Sequence, residues 1–305
     1  MYDLIIVGGG PAAIAGGIYA ARKQLKTKLL AKEFGGQSVV SPLIHNWIGT
    51  PSISGSDLAK SLVAHLKEYE GEFLSIEEGV PVLSVSGKSP FTVTLKNGAS
   101  YEAKTVLIAT GAQRRKLTVK GAQEFDQKGL TYCATCDGPL FSGMDVAVIG
   151  GGNAGFETAA QLLAYTKSVT LLDASETFRA DAVTVEKVLS RENMRALPNV
   201  EVLEILGERM VQGVSYKDKK SGKIQTLHVT GVFVEIGSEP NTKLVHGMVE
   251  LDDCNNIKVD ARTQRTSTEG IWAAGDCTDC LYEQNNIAVG DAVKAIEDIY
   301  VYLKA

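Results

Sequence analysis

Sulfur is scarce in this chain. Five cysteines stand among 305 residues (Cys133, Cys136, Cys254, Cys277 and Cys280). An odd, sparse set excludes the dense, even disulfide framework of a small secreted domain and fits a reducing, cytoplasmic setting. Net basicity is lacking too, since 31 Lys and Arg against 36 Asp and Glu leave a formal charge of -5. Without a cationic cluster to displace counterions from a phosphate backbone, nucleic acid is excluded as a partner. No apolar run reaches the length that spans a bilayer, which argues against a membrane partner. The apolar start MYDLIIVGGG has no basic residue ahead of it and soon breaks into glycine. It therefore reads as a buried strand entering a loop, not as a signal sequence. What remains is 44% hydrophobic and 22% charged, the balance of a globular protein long enough for two packed domains.

That opening strand runs into Gly8-Gly9-Gly10 and then a helical stretch from about Pro11 to Lys23. Gly8, Gly10 and Ala13 fit G-x-G-x-x-G/A: the first permits a tight turn, the second lets backbone approach a pyrophosphate, and the third lets helix and strand pack closely. A second strand, KTKLLAKEF, ends at Glu33, about twenty residues on, where a dinucleotide fold places a carboxylate on the ribose hydroxyls; Lys32 beside it leaves the register open by one. A helix follows, carrying Leu58, Leu62 and Leu66 behind a Ser56/Asp57 cap. Next come a hairpin around Asn97-Gly98 and a buried strand from Thr105 to Ala109 entering Thr110-Gly111.

After a charged connection the pattern begins again. DVAVIGGGNAGFETAAQLLA is another strand, glycine loop and helix, with Gly150, Gly152 and Gly155 at the required spacing, and SVTLLD ends at Asp173. One match could be coincidence; two in the same strand-to-helix context imply two nucleotide sites. The last 60 or so residues hold a short strand ending at Gly275-Asp276 and a helix from about Asn286 to Leu303. So short a tail returns most economically to complete the first domain. The expected fold is α/β, with two Rossmann-like, three-layer ββα domains, the second (116-242) inserted between two parts of the first (1-115 and 243-305).

These pieces in this order resemble the flavoprotein disulfide reductases with two dinucleotide folds, in particular the low-molecular-weight thioredoxin reductases and the related flavoprotein subunit of alkyl hydroperoxide reductase. The resemblance is carried by Gly8-Gly9-Gly10-Pro11-Ala12, Gly35-Gly36-Gln37, Ala109-Thr110-Gly111, Cys133-Ala134-Thr135-Cys136-Asp137-Gly138, Gly150-Gly151-Gly152-Asn153 and Ala273-Ala274-Gly275-Asp276-Cys277, and covers essentially the whole chain. It implies FAD in the first domain, with the pyrophosphate over Gly8 to Ala13 and the ribose at Glu33. Gly36, Thr110, Gly111, Gly275 and Asn285 would line that site. Asp276 would hold the ribitol or phosphate side, and Gln37, Asn46 and Gln284 would lie near the ring. Two positions depart from the family: Glu283 stands where it has arginine, and His45 where it has an acid. Outside the resemblance, each polar residue here is an ordinary solvated loop side chain.

Three readings meet at Cys133 and Cys136. Zinc needs four ligands, and the only other close pair, Cys277 and Cys280, lies about 140 residues away, far beyond ribbon spacing. A staple closing so small a loop removes little chain entropy. A working dithiol needs both sulfurs within one bond's reach, which Cys-x-x-Cys provides. The resemblance implies that Cys136 faces the flavin, that Cys133 attacks the protein substrate, and that Asp137 protonates a departing thiolate; alone, Asp137 reads equally as a turn residue before Gly138. It also implies a rotation between domains, hinged near 112-118 and 240-246. Cys277 reads as a packed small residue and Cys280 as incidental, against an auxiliary thiol pair or labile metal site.

The donor turns on the stretch from Asp173 to Arg179. NADPH-using members carry a His-Arg-Arg run there with a further arginine four places on, and only Arg179 survives. Asp173 repels a 2'-phosphate and accepts from a free diol, which favours NADH over NADPH, with Gly150, Gly152, Asn153, Ala154 and Glu157 completing that site. The expected function is a thioredoxin reductase-like enzyme passing electrons through FAD and the Cys133-Cys136 dithiol to thioredoxin or a thioredoxin-like protein. Alternatives are a reductase of a peroxiredoxin or glutaredoxin-like protein, a ferredoxin-dependent enzyme, or a flavin redox sensor without turnover. Met1 stands close to the first strand, so no N-terminal thioredoxin-like extension is expected, which favours an external acceptor. Family habit implies a homodimer.

Overall fold

The computed structural model describes residues 1-40, 44, 46-132 and 134-304. They form two compact units, Met1–Gln113 with Glu239–Ala305, and Arg114–Ser238. The first unit opens with β1 (Tyr2–Val7), α1 (Pro11–Arg22), β2 (Thr27–Ala31), α2 (Gly55–Lys67), β3 (Leu74–Glu78), β4 (Val82–Gly87), β5 (Phe91–Leu95) and β6 (Ser100–Ile108), then leaves through β7 (Ala112–Arg114). Its sheet runs β3-β2-β1-β6-β5-β4, parallel from β3 to β6 and antiparallel beyond.

Alternation along β1 explains its place at the centre. Leu4 and Ile6 pack with Leu29 and Leu107 towards α1, while Ile5 and Val7 point the other way with Leu30, Val106, Phe91 and Val93. Both faces are covered, so the strand reads as one unbroken apolar run. The hairpin strand after Asn97-Gly98 and the buried strand expected at Thr105 to Ala109 are a single strand, β6. Its first half pairs antiparallel with β5 and its second half parallel with β1. No turn residue separates the two roles, so the period-2 pattern passes directly into the buried run. The cap of α2 also differs from expectation: Ser54 accepts from the Asp57 amide and donates its hydroxyl to the Asp57 carboxylate, so Ser56 and Asp57 lie inside the helix.

The second unit contains β8 (Leu130–Thr131), α3 (Ala134–Asp137), β9 (Asp145–Ile149), α4 (Asn153–Leu162), β10 (Ser168–Leu172), α5 (Ala182–Leu189), β11 (Met194–Leu197), β12 (Val200–Gly207), β13 (Val211–Asp218), β14 (Ile224–Leu227) and β15 (Gly231–Val234). Its parallel sheet has the order β11-β10-β9-β15-β8, and β12-β13-β14 make a separate antiparallel sheet. Val146, Val148 and Phe233 pack against Phe156, Ala159 and Leu162 of α4; Ala147, Ile149 and Val232 pack against Ile205, Val211 and Val214. Helices, parallel sheet and antiparallel sheet thus form three layers.

The chain returns to the first unit through β16 (Ser238–Pro240), β17 (Ile271–Ala273) and α6 (Asn285–Lys304). β17 pairs in parallel with Val106 to Ile108 of β6, and Ala292, Ala295, Ile296 and Ile299 of α6 join Ile14 and Ile18 of α1 in one core. The tail completes the first fold. The α/β class with two dinucleotide-binding folds is the one the sequence implied.

Candidate functional site

Each unit bears a glycine loop between its central strand and the following helix. Gly8 (φ +144°) and Gly150 (φ +125°) sit in backbone that side chains rarely adopt, and a Cβ would stand 2.1 Å from the Ala109 carbonyl oxygen or 2.0 Å from that of Glu235. Gly10 and Gly152 differ. Their φ values of -84° and -90° suit any residue, and among the described residues a Cβ would meet nothing closer than Gly36 Cα at 3.9 Å in the first case and nothing within 4 Å in the second. They keep the space above the loop clear. Gly10 and Gly152 are also the N-caps of α1 and α4, and neither helix has a side-chain cap, whereas Ser54 and Asp181 cap α2 and α5. First-turn amides without side-chain partners are the donors that a pyrophosphate takes up.

In the first unit this loop borders a cavity of about 580 Å³. Gly8, Gly10, Pro11, Ala12 and Glu33 line it on one side; Gly36, Gln37, Thr110, Gly111, Gly275, Asp276 and Asn285 complete the part anticipated from sequence. Ala13 is fully buried behind the loop. Glu33, two residues past β2, is largely exposed and 3.6 Å from the Lys32 ammonium, and both line the cavity. Gln37 donates to the Ala112 carbonyl at 2.6 Å, and Ser38 donates to Asn285 at 2.8 Å. Asn46 and Gln284 bind each other at 2.9 Å, and Asn286 donates to the Asn46 carbonyl at 2.7 Å. His45 lies outside the described residues.

Sequence reasoning missed Gly9 and Asn241. A Cβ on Gly9 would stand 2.0 Å from the Glu33 carbonyl oxygen, a need foreshadowed by the tripled glycine. Asn241 lines the cavity after a separation of more than a hundred residues: its amide donates to the Thr110 carbonyl, the Thr110 hydroxyl donates to its carbonyl at 2.7 Å, and Gln113 donates to its side chain at 2.8 Å. No local pattern announces it.

Burial, reinforced by the negative charge of Glu283, pushes the Asp276 carboxyl up to about 6 from an ordinary 3.8. The native state therefore holds an extra proton between these values, and the stability linked to it is present at low pH and lost as pH rises towards 6. In ligand-free protein, Asp276→Asn is expected to raise the urea midpoint relative to wild type at pH 7.5 and to leave it nearly unchanged at pH 4. Equal effects at both pH values would contradict this.

In the second unit Asp173 directly follows β10, is 6% exposed, and its buried Oδ2 has no hydrogen-bond partner among the described residues. A Cβ on Gly151 would stand 2.5 Å from that oxygen, so the carboxylate lies beside the loop. Asn153 accepts from the Asp181 amide at 2.8 Å and the Arg179 amide donates to the Gly151 carbonyl at 2.9 Å, which lays the segment after Asp173 along the loop. Ala154, Glu157 and Arg179 have exposed side chains. Glu235, behind Gly150, was not singled out from sequence.

Cys133 lies outside the described residues, as does the Cys136 side chain. The framework around them is defined: α3 carries position 136, Asp137 accepts from the Thr131 hydroxyl, and the Tyr132 hydroxyl accepts from the Leu117 amide at 3.1 Å. Cys277 is fully buried, with its thiol 3.6 Å from the Ile108 carbonyl and 3.5 Å from that of Ala274, and burial pushes it up to about 11. Burial raises the Cys280 thiol as well. Such thiols stay protonated and poorly nucleophilic, which supports the packing reading. Cys254 is exposed. Among the described residues no cluster of three or more His, Cys, Asp or Glu could hold a metal ion, and no helix is long and apolar enough to cross a membrane.

A family model described as pyridine nucleotide-disulphide oxidoreductase matches residues 2-292. NADH dehydrogenase of Bacillus subtilis (strain 168) is 40% identical over 302 residues, which cover 99% of this chain and 58% of that protein. A Pseudomonas putida relative, named as one of the subunits of alkyl hydroperoxide reductase, is 42% identical over 295 residues, 96% of this chain and 56% of that one. The chain thus spans little more than half the length of these two relatives. Among solved structures, thioredoxin reductase of T. acidophilum is 37% identical with a TM-score of 0.80, covering 100% of this chain and 99% of its own. Lactococcus lactis thioredoxin reductase in its FR conformation is 29% identical with a TM-score of 0.82 at the same coverage.

Proposed function

The chain belongs to the pyridine nucleotide-disulphide oxidoreductase family, and from that premise we propose that it is an FAD-dependent disulfide reductase, taking electrons from NADH and passing them through Cys133 and Cys136 to thioredoxin or a thioredoxin-like protein. The observation that carries this reading is the repeated, uncapped glycine loop: one borders a cavity of dinucleotide dimensions, and the other has beside it a carboxylate with one buried oxygen that no described residue partners. When bound, the flavin supplies a centre that accepts two electrons from a nicotinamide and yields them to a disulfide.

The chain's own groups do the rest. Gly10, Gly36 and Gly111 would leave room for FAD in the cavity, and the α1 amides would hold its pyrophosphate. The Cys133 thiolate attacks one sulfur of the acceptor disulfide, so a mixed disulfide forms as the acceptor's own bond breaks. Cys136 then attacks the Cys133 sulfur, closing the internal disulfide and releasing the acceptor as a dithiol. Asp137, held by Thr131, supplies a proton to the departing sulfur. A reductase of a peroxiredoxin-type partner is the second reading, favoured by the relatives that belong to alkyl hydroperoxide reductases.

NADH is supported by Asp173. Its free oxygen is an acceptor for ribose hydroxyls and a like charge for a 2'-phosphate. The name of the Bacillus relative points the same way. Anaerobic titration of the purified flavoprotein with NADH, NADPH and reduced ferredoxin, followed by loss of visible flavin absorbance, tests the reading. NADH is expected to bleach the flavin at the lowest concentration; bleaching by ferredoxin alone would defeat the donor assignment. Asp173→Ala is expected to shrink the NADH preference over NADPH about tenfold, the worth of about one charge-assisted hydrogen bond, in the same titration.

A further inference from the structure

Glu235 is a mostly buried acid that neither the glycine pattern nor the dithiol uses; its side chain is 11% exposed. It follows β15, and its carbonyl oxygen backs the first glycine of the second loop as Ala109 backs the first glycine of the first loop. Ala109 lines the cavity of its unit. By that internal repetition, Glu235 holds the place beside the second loop that Ala109 holds beside the first. The strand order places β10 on one side of β9 and β15 on the other, so Asp173 and Glu235 flank the loop. A dinucleotide with its adenosine ribose at Asp173 and its pyrophosphate over the loop carries its nicotinamide half towards β15.

Among the described residues the carboxyl is held through one oxygen. Thr158 donates to Oε1 at 2.9 Å, and an Arg114 Nη1 stands 3.7 Å from the same oxygen. Among the described residues both contacts fall on Oε1, which leaves the lone pairs of Oε2 to take a donor from a ligand. We propose that Glu235 is a binding residue for the nicotinamide end of the coenzyme, its second carboxyl oxygen accepting a hydrogen bond from the carboxamide N–H. Burial, with the charge of Glu157, also raises this carboxyl above its ordinary range.

This rests on the nucleotide reading of the second unit, and the test separates the two. Equilibrium binding to the oxidised flavoprotein is measured for NAD+, for its 3-acetylpyridine analogue, in which methyl replaces the amine, and for ADP-ribose, which lacks the ring. Glu235→Ala is expected to weaken NAD+ about tenfold while leaving the analogue and ADP-ribose within about twofold. Glu235→Gln, which keeps an acceptor, is expected to restore most of the loss. Unchanged NAD+ binding, an equal loss for NAD+ and the analogue, or a loss extending to ADP-ribose each overturns the assignment to the carboxamide. A wild-type protein that binds none of the three removes the nucleotide reading itself, and Glu235 with it.

Discussion

Serine at both Cys133 and Cys136 is expected to reduce turnover with a protein disulfide by about a thousandfold or more, while flavin content and bleaching by the electron donor stay at wild-type levels. The reason is nucleophilicity: a thiolate is accessible near neutral pH and attacks sulfur readily, whereas an alcohol stays protonated and forms no stable bond to it. Each single substitution is expected to be nearly as damaging. Without Cys133 there is no attack on the acceptor, and without Cys136 the mixed disulfide has no internal thiolate to resolve it. Reduction of ferricyanide, which needs no thiol, serves as the control and is expected to persist in all three variants. If the double variant still reduced its protein acceptor at the wild-type rate, the dithiol assignment would be wrong. Asp137→Asn is a milder probe, because water can replace a proton donor but nothing replaces the sulfur.

What the sequence disclosed follows from the range over which each feature is encoded. Strand, glycine loop and helix occupy about twenty consecutive residues, so both dinucleotide folds are legible locally, down to Gly8 and Gly150 under their neighbouring carbonyls. Asp173 is legible for the same reason, one strand further on. Asn241 and Glu235 are not. Each reaches its place through contacts between segments far apart in sequence, Asn241 against Thr110 and Gln113, and Glu235 against Thr158 and Arg114. Gly9 and Gly151 fall at the free position of the pattern, yet one backs onto the Glu33 carbonyl and the other onto the Asp173 carboxylate. Cys277 shows the converse: a second Cys-x-x-Cys looks chemical in one dimension and proves to be a buried thiol between two carbonyls.

Valine at Gly10 and at Gly152 is expected to remove the two ligands one at a time from a protein that still folds. Both glycines have extended backbone that a β-branched residue adopts readily, and among the described residues a Cβ at either place meets nothing closer than 3.9 Å. The cost to folding is that of a poor N-cap, about 1 kcal/mol. The cost to binding is far larger, because the branched side chain fills the space above the first-turn amides that a pyrophosphate needs. Gly10→Val is expected to lower flavin affinity by about a hundredfold or more, read as flavin content after dialysis and by titration of the flavin-free protein with FAD. Gly152→Val is expected to keep its flavin and lose bleaching by NADH. Gly8→Val is the contrast: its Cβ would collide with the Ala109 carbonyl in backbone at φ +144°, so it should unfold the first unit instead of emptying it. A Gly10→Val protein that folds and holds FAD as tightly as wild type would show that the pyrophosphate does not lie over this loop, and the cavity would then need another occupant.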